Sequence, residues 1–209
     1  MGNKIITPSV PIILASASNI RYEILKKTGI EFSVIVSNIN EYELKKKIIN
    51  LNIKEIAMTL ASEKAYDVSK NNPNSYVIGA DQICNLNEKI FSKPSNMSNA
   101  IKQLKQLSGK THKQTSGICL YYNGQKIWSD TEEAELTMHN LEEKEIINYL
   151  EIDKPFNSCG SYKYESLGMH LFSNVNGNNE TIQGLPLIGL LKQLRKESIY
   201  SIENIKDDS

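Results

Sequence analysis

Ser16, Ser18 and Arg21 sit where an apolar run, Ile12-Ile13-Leu14, gives way to a segment of helical period. Small residues at such a junction let an anion approach the backbone, their hydroxyls can donate to it, and the amides of the following helix favour negative charge. Arg21 falls in the first turn of that helix, where a cation is electrostatically disfavoured. A bound phosphate gripped by two guanidinium nitrogens would resolve the conflict. A plain serine-capped helix with a solvated arginine fits the same residues without any ligand. Lys64 borders the apolar stripe of Leu60 and Ala61, so it either snorkels to water or reaches into a cleft. Asp81 follows the apolar Tyr76-Val-Ile-Gly-Ala80, where a carboxylate is costly unless paired or bound to a metal. Hard oxygen donors of this kind suit Mg²⁺ held together with substrate phosphates. Glu41, after Ser37-Asn-Ile-Asn40, is a candidate second carboxylate or a simple loop acid. Lys93, before Pro94, is a candidate cation or a turn lysine.

Other chemistries find little support. His112, His139 and His170 show no metal-ligand spacing, and Cys84, Cys119 and Cys159 are far apart with no CxxC, so they read as structural or inert thiols. No nucleophile elbow, Walker A loop or GxGxxG is present. The 209 residues carry 24 basic and 24 acidic side chains. That balance argues against a general nucleic-acid or membrane-surface binder, which needs excess Lys and Arg, but it permits a small cationic pocket. The N-terminus shows no long apolar segment, and Ile6 stands where a myristoylation signal needs Ser or Thr. A cytoplasmic protein is expected.

The elements that must position these groups follow from hydrophobic period. Ile12–Leu14 reads as a buried strand, followed by a helix capped by Ser18 and terminated by Gly29. Glu31 to Val36 reads as a second strand, and residues near 53–70 as the clearest helix. Tyr76 to Ala80 is a central strand with Asp81 at its end, and residues 82–92 form a hairpin around Asn85–Glu88. A helix runs from about Ser95 to Leu107. Asn123-Gly124 turns between strands 118–122 and 125–128 with type I′ chemistry. Glu142 to Leu150 and Leu187 to Arg195 are helical, and 156–183 is rich in Gly and Asn with short strands. The fold class expected is α/β with a mixed sheet and flanking helices, in one or two lobes. The tail, 203–209, is expected to be disordered.

Taken in chain order, these residues resemble the Maf family. The resemblance is carried by Ser16-Ala-Ser-x-x-Arg21, Lys64-Ala65, Gly79-Ala-Asp-Gln82, Lys93-Pro94, Leu107-Ser-Gly-Lys-Thr-His112, Gly160-Ser-Tyr-x-x-Glu165-x-Leu-Gly168 and Gly184-Leu-Pro-Leu187, across about residues 11–195. It implies one Maf-like domain built as two lobes around a deep cleft, related to the inosine triphosphatase type. It also implies a house-cleaning nucleoside triphosphate pyrophosphatase, which cuts between the α and β phosphates and needs Mg²⁺ or Mn²⁺. Asp81 matches the family's proton acceptor; Glu41, with Asp81, matches its metal site. Ser16, Ser18, Arg21, Lys64 and Lys93 match the groups that handle phosphate. The competing role implied by the family name is a nucleotide-binding regulator of septum formation. A homodimer is a further family expectation, with no nucleic-acid or membrane partner.

The family's specificity positions fall on Ile20, Gln82 and Glu165. The branch that acts on dTTP and UTP carries Arg, Thr and Gln there. Gln82 and Glu165 resemble the 7-methyl-GTP branch, which has an aromatic residue where this chain has Ile20. A carboxylate at position 165 suits a guanine edge or a cationic methylated base, so a purine or methylated purine substrate is expected.

Overall fold

The computed structural model describes residues 4–207. The first half contains strand β1 (Lys4–Ile6), β2 (Ile12–Leu14), helix α1 (Asn19–Lys26), β3 (Ser33–Val34), α2 (Glu41–Lys47) and α3 (Ile53–Ser69). After these come β4 (Tyr76–Leu86), β5 (Lys89–Phe91), α4 (Met97–Leu107), β6 (Thr111–Tyr122) and β7 (Gln125–Met138). The remainder is α5 (Glu143–Asp153), β8 (Phe172–Asn176), α6 (Asn179–Ile182), α7 (Leu187–Lys196) and β9 (Ile205–Asp207). Seven strands form one mixed sheet in the order β3-β2-β4-β6-β7-β8, with β5 on β4. β2 lies parallel to both β3 and β4, whereas β5 and β8 pair antiparallel with β4 and β7. Among the described residues no helix is long and apolar enough to cross a membrane.

Two compact units divide the chain. The first takes the chain through Asp81, Ser116–Thr131 and the chain from Gly184 on. There β2 is covered on both faces, which is why it is a continuous apolar run rather than an alternating one. Ile12, Leu14, Ile78 and Leu120 pack with Ile24 and Leu25 of α1 and Leu190 and Leu194 of α7. The residues between them in sequence, Ile13, Ala15, Val77 and Cys119, pack on Ala61, Ala65 and Val68 of α3. The small residues on α3 matter here. A Cβ placed on Gly79 would fall on the Ala61 carbonyl and 2.7 Å from Ala65 Cβ, and one on Gly117 would lie 2.7 Å from the Ala57 carbonyl. Glycine on the sheet and alanine on the helix therefore let α3 lie unusually close to β4 and β6.

The second unit takes Gln82–Thr115 and Glu132–Gln183. Its core joins Ala100, Leu104 and Leu107 of α4 to Ile146, Tyr149 and Leu150 of α5, with Leu136, Met138 and Tyr162.

Several elements differ from the reading by period. β4 does not stop at Ala80 but continues to Leu86, so Asp81 lies inside a strand whose neighbours Ile83 and Cys84 are also buried. The strand expected over 31–36 is reduced to Ser33–Val34, because β2 offers it a ladder of two residue pairs at the sheet edge. The 118–128 hairpin is much longer, and Asn123 (φ 48°) and Gly124 (φ 71°) adopt the positive φ that the turn needs. Its extension carries polar residues on a solvated side, including Lys113 between Glu133 and Glu135 at 3.7 and 3.6 Å. Glu41 opens a helix, not a loop, because Asn40 Oδ1 accepts from Glu43 N at 3.1 Å. Over Ile205–Asp207 the expected disordered tail is instead a strand, antiparallel to Lys4–Ile6, where alternating backbone pairing gives it a place; residues 208 and 209 lie outside the described residues.

Candidate active site

The first unit assembles two adjoining knots of polar side chains. Helix α3 starts on a capping box, with Glu55 N donating to Asn52 Oδ1 and Asn52 N to Glu55 Oε2, each at 3.0 Å. Just over three turns later it presents Lys64 toward β4. There Lys64 Nζ donates to Asp81 Oδ1 at 2.5 Å and reaches Glu41 Oε1 at 2.9 Å. The side chains of Lys64 and Asp81 are 12% and 11% exposed, that of Glu41 44%, so the ion pair is deep and its third member rims it. Burial raises the Glu41 carboxyl, but the hydrogen bond and charge of Lys64, and then Lys45, outweigh it and hold its pKa below the ordinary value.

Glu41 is brought to Lys64 by a residue that sequence reading did not single out. Asp67, three residues beyond Lys64 on α3, accepts from Asn38 N at 2.8 Å and from Ser37 Oγ at 3.2 Å. This fastens the 37–40 loop, and hence the start of α2, to the helix that carries Lys64. No local pattern marks Asp67, since an exposed-looking aspartate near a helix end is ordinary.

The second knot lies after β2. Ser18 caps α1, its Oγ accepting from Arg21 N at 3.5 Å, and Ser18 N donates to Ser16 Oγ at 3.2 Å. Arg21 is buried, 9% exposed, not solvated. Its Nη1 donates to the Ala80 carbonyl at 2.8 Å and to Ser16 Oγ at 3.4 Å, and its Nε to the Gly184 carbonyl at 2.8 Å. The conflict between a cation and a helix N-terminus is thus offset within the chain by carbonyl oxygens. Gly184 belongs to a motif of the resemblance without a role of its own there; its φ of 91° is a conformation that favours glycine and turns its carbonyl to the guanidinium. Ser16 Oγ already accepts two hydrogen bonds, so what it retains for a ligand is its O–H donor.

The remaining residues are distributed differently. Ile20 is half-buried and packs on the core of the first unit. Lys93, exposed between β5 and α4, belongs to the second unit, as do Gln82 and the exposed Glu165. Gln82 Nε2 donates to the carbonyls of Thr181 and Ile182, at 3.2 and 2.5 Å. Two carbonyl partners settle the orientation of this amide: its nitrogen is tethered to α6 and its oxygen is left as an acceptor.

Chemically, Asp81 and Glu41 offer hard carboxylate oxygens that share one ammonium, while Ser16 and Ser18 offer hydroxyl donors beside Arg21. Two carboxylates are too few to cage a cation alone, and no cluster of three or more potential ligand residues occurs among the described residues. They do fit an Mg²⁺ or Mn²⁺ ion that arrives with phosphate oxygens as its other ligands.

A nucleoside triphosphate pyrophosphatase of Legionella pneumophila (strain Philadelphia 1) is 45% identical over 192 residues, covering 92% of this chain and 96% of the relative. A 7-methyl-GTP pyrophosphatase of Brucella abortus biovar 1 is 38% identical over 193 residues, covering 90% and 97%. Among solved structures, a nucleoside-triphosphatase of Mycobacterium abscessus is a distant likeness, with a TM-score of 0.42 at 12% identity over 90% of this chain and 97% of that one. The family model described as Maf-like protein matches residues 11–197, which take in both knots, Lys93 and Glu165, and the chain belongs to that family.

Proposed function

We propose that this chain is a nucleoside triphosphate pyrophosphatase that hydrolyses the bond between the α and β phosphates, releasing a nucleoside monophosphate and pyrophosphate. Its role is to keep non-standard nucleotides out of nucleic acids. The observation that carries the reading is Lys64 held between Asp81 and Glu41 in a unit that also buries Arg21 and Ser16. Lys64 fixes Asp81 Oδ1, which leaves Oδ2 as the oxygen that takes a proton from the attacking water. The hydroxyls of Ser16 and Ser18 donate to phosphate oxygens, and the resemblance gives Lys93 a phosphate-handling role as well. Glu41 and Asp81 would hold a divalent cation, which would supply neutralisation of phosphate charge when bound.

For the base, the reading favours a purine or methylated purine. Glu165 is an exposed carboxylate and the tethered Gln82 presents an amide oxygen, two acceptors that suit the donor-rich edge of guanine. Ile20 offers neither charge nor a hydrogen bond. The relative from Brucella abortus, named for 7-methyl-GTP, points the same way.

The test is hydrolysis of 7-methyl-GTP, GTP, UTP and dTTP with Mg²⁺ or Mn²⁺ in ¹⁸O-labelled water. Pyrophosphate release with the label in the monophosphate is expected, and 7-methyl-GTP or GTP should lead. Orthophosphate release would overturn the reaction, and UTP or dTTP clearly ahead would overturn the base preference. Tight nucleotide binding without turnover of any of the four would favour the septum-formation regulator.

A further inference from the structure

In the second unit, the buried Thr181 donates its hydroxyl to Glu132 Oε2 at 2.6 Å. A bond this short to a carboxylate is charge-assisted and stronger than one between neutral groups. Asn178 Nδ2, at the N-cap of α6, reaches the same oxygen at 3.5 Å. Helix α6 has only four residues, too few to hold a helical turn by itself, so contacts from other elements must fix where it lies. Glu132 of β7 supplies one such contact. Gln82 of β4 supplies another, because its Nε2 donates to the Thr181 and Ile182 carbonyls. Thr181 therefore carries both: Glu132 grips its side chain and Gln82 its carbonyl.

We infer that Glu132 and Thr181 are positioning residues for base selection: they fix α6 against Gln82, and so hold the Gln82 amide with its nitrogen on the helix and its oxygen as the acceptor. The inference rests on the pyrophosphatase reading and on the base-selecting place that the resemblance gives Gln82. It adds two residues to which that resemblance gives no role. Its physical basis is the two-faced amide. Donor and acceptor ends have nearly the same shape, so an untethered glutamine meets donors and acceptors alike. The pairing edge of guanine offers two adjacent N–H donors beside one carbonyl, whereas uracil and thymine offer one N–H between two carbonyls. A Gln82 that can only accept tells these edges apart, and one free to turn over does not. Thr181 or Glu132, deprived of the other, must find a new partner, so α6 shifts and the amide is released.

Thr181→Val keeps the shape of the side chain and removes its hydroxyl. The ratio of kcat/KM for 7-methyl-GTP or GTP to that for UTP or dTTP is expected to fall about tenfold, the scale of one hydrogen bond. UTP hydrolysis itself should stay within about threefold of wild type. Glu132→Ala should behave in the same way, and Thr181→Ser should keep the wild-type ratio. Equal losses on all four nucleotides, or an unchanged ratio, would make the contact purely structural and overturn the inference. Side-chain ¹⁵N spectra give a second readout: hydrogen exchange at the Gln82 amide should quicken about tenfold in Thr181→Val, and unchanged exchange overturns the tether. If Thr181→Val does not fold, Glu132→Gln takes its place, keeping an acceptor without the charge. Its ratio should fall about threefold, and no fall overturns the inference. A wild type that cleaves none of the four nucleotides fails the pyrophosphatase reading itself, and the same ratios are then read from nucleotide binding. A wild type that prefers UTP fails the purine reading alone, since a narrowed preference in Thr181→Val still supports positioning.

Discussion

Lys64 Nζ lies 2.5 Å from Asp81 Oδ1, and both side chains are almost closed to solvent. An ion pair this deep contributes little net stability, because removing both charges from water costs about as much as their attraction returns. Its value is geometric. It orients one carboxylate oxygen of Asp81 and draws in Glu41 as a third charge.

Asp81→Asn keeps the shape of the side chain and removes its basicity. Turnover is expected to fall by about 10³-fold or more, within the range for loss of a general base, the role proposed for Asp81. Steady-state pyrophosphate release measures it, and a near-normal rate would take Asp81 out of the mechanism.

Lys64→Met preserves the stem and deletes the ammonium. Asp81 is then buried without its cation, and the unfolding free energy is expected to drop by about 3 kcal/mol in urea titrations at neutral pH. Activity should fall with it. The double variant Lys64→Met/Asp81→Asn should recover much of the stability but none of the activity, whereas additive losses in stability would argue that the pair is not coupled.

Gly79→Ala tests how α3 is placed. The added methyl would meet the Ala61 carbonyl backbone, so the helix carrying Lys64 must move away from β4. Destabilisation of about 2 kcal/mol is expected from overpacking. A loss of activity near 10²-fold should accompany it if Lys64 shifts by about an ångström. A variant with native stability and rate would show that the close approach of α3 is not required.

His112, in the second unit, is buried with Nε2 2.9 Å from the Tyr162 hydroxyl, and burial pushes its pKa down to about 4. The folded state therefore binds a proton less readily than the unfolded chain. Stability from this group is complete above about pH 6.5 and is lost as pH falls from there through 4, by at most about 3 kcal/mol. Urea denaturation at a series of pH values should show that slope, and His112→Gln should flatten it. An unchanged pH profile in the variant would place the acid sensitivity elsewhere.

Much of the frame was legible because it is written in local period. The α3 stripe, the Ser18 cap, the Asn123-Gly124 turn and the buried β2 run each follow from neighbouring residues, and the structure has them. Extents were less legible. Asp81 looked like a strand terminus because a charge usually ends an apolar strand, whereas Lys64 neutralises it in place and β4 continues. Asp67 and the carbonyl partners of Arg21 left no trace in the pattern at all.

The amino-acid sequence alone settled which residue types were available, the family and the periodicity of most elements, since these depend on side-chain identity and on contacts within a few positions. Tertiary structure decided what those side chains touch. Whether Arg21 meets water or the Ala80 and Gly184 carbonyls, and whether Lys64 snorkels or pairs with Asp81, depends on how closely helices settle on a sheet. That distance is set by packing between segments remote in the chain, at positions such as Gly79 and Ala61, and no local pattern contains it.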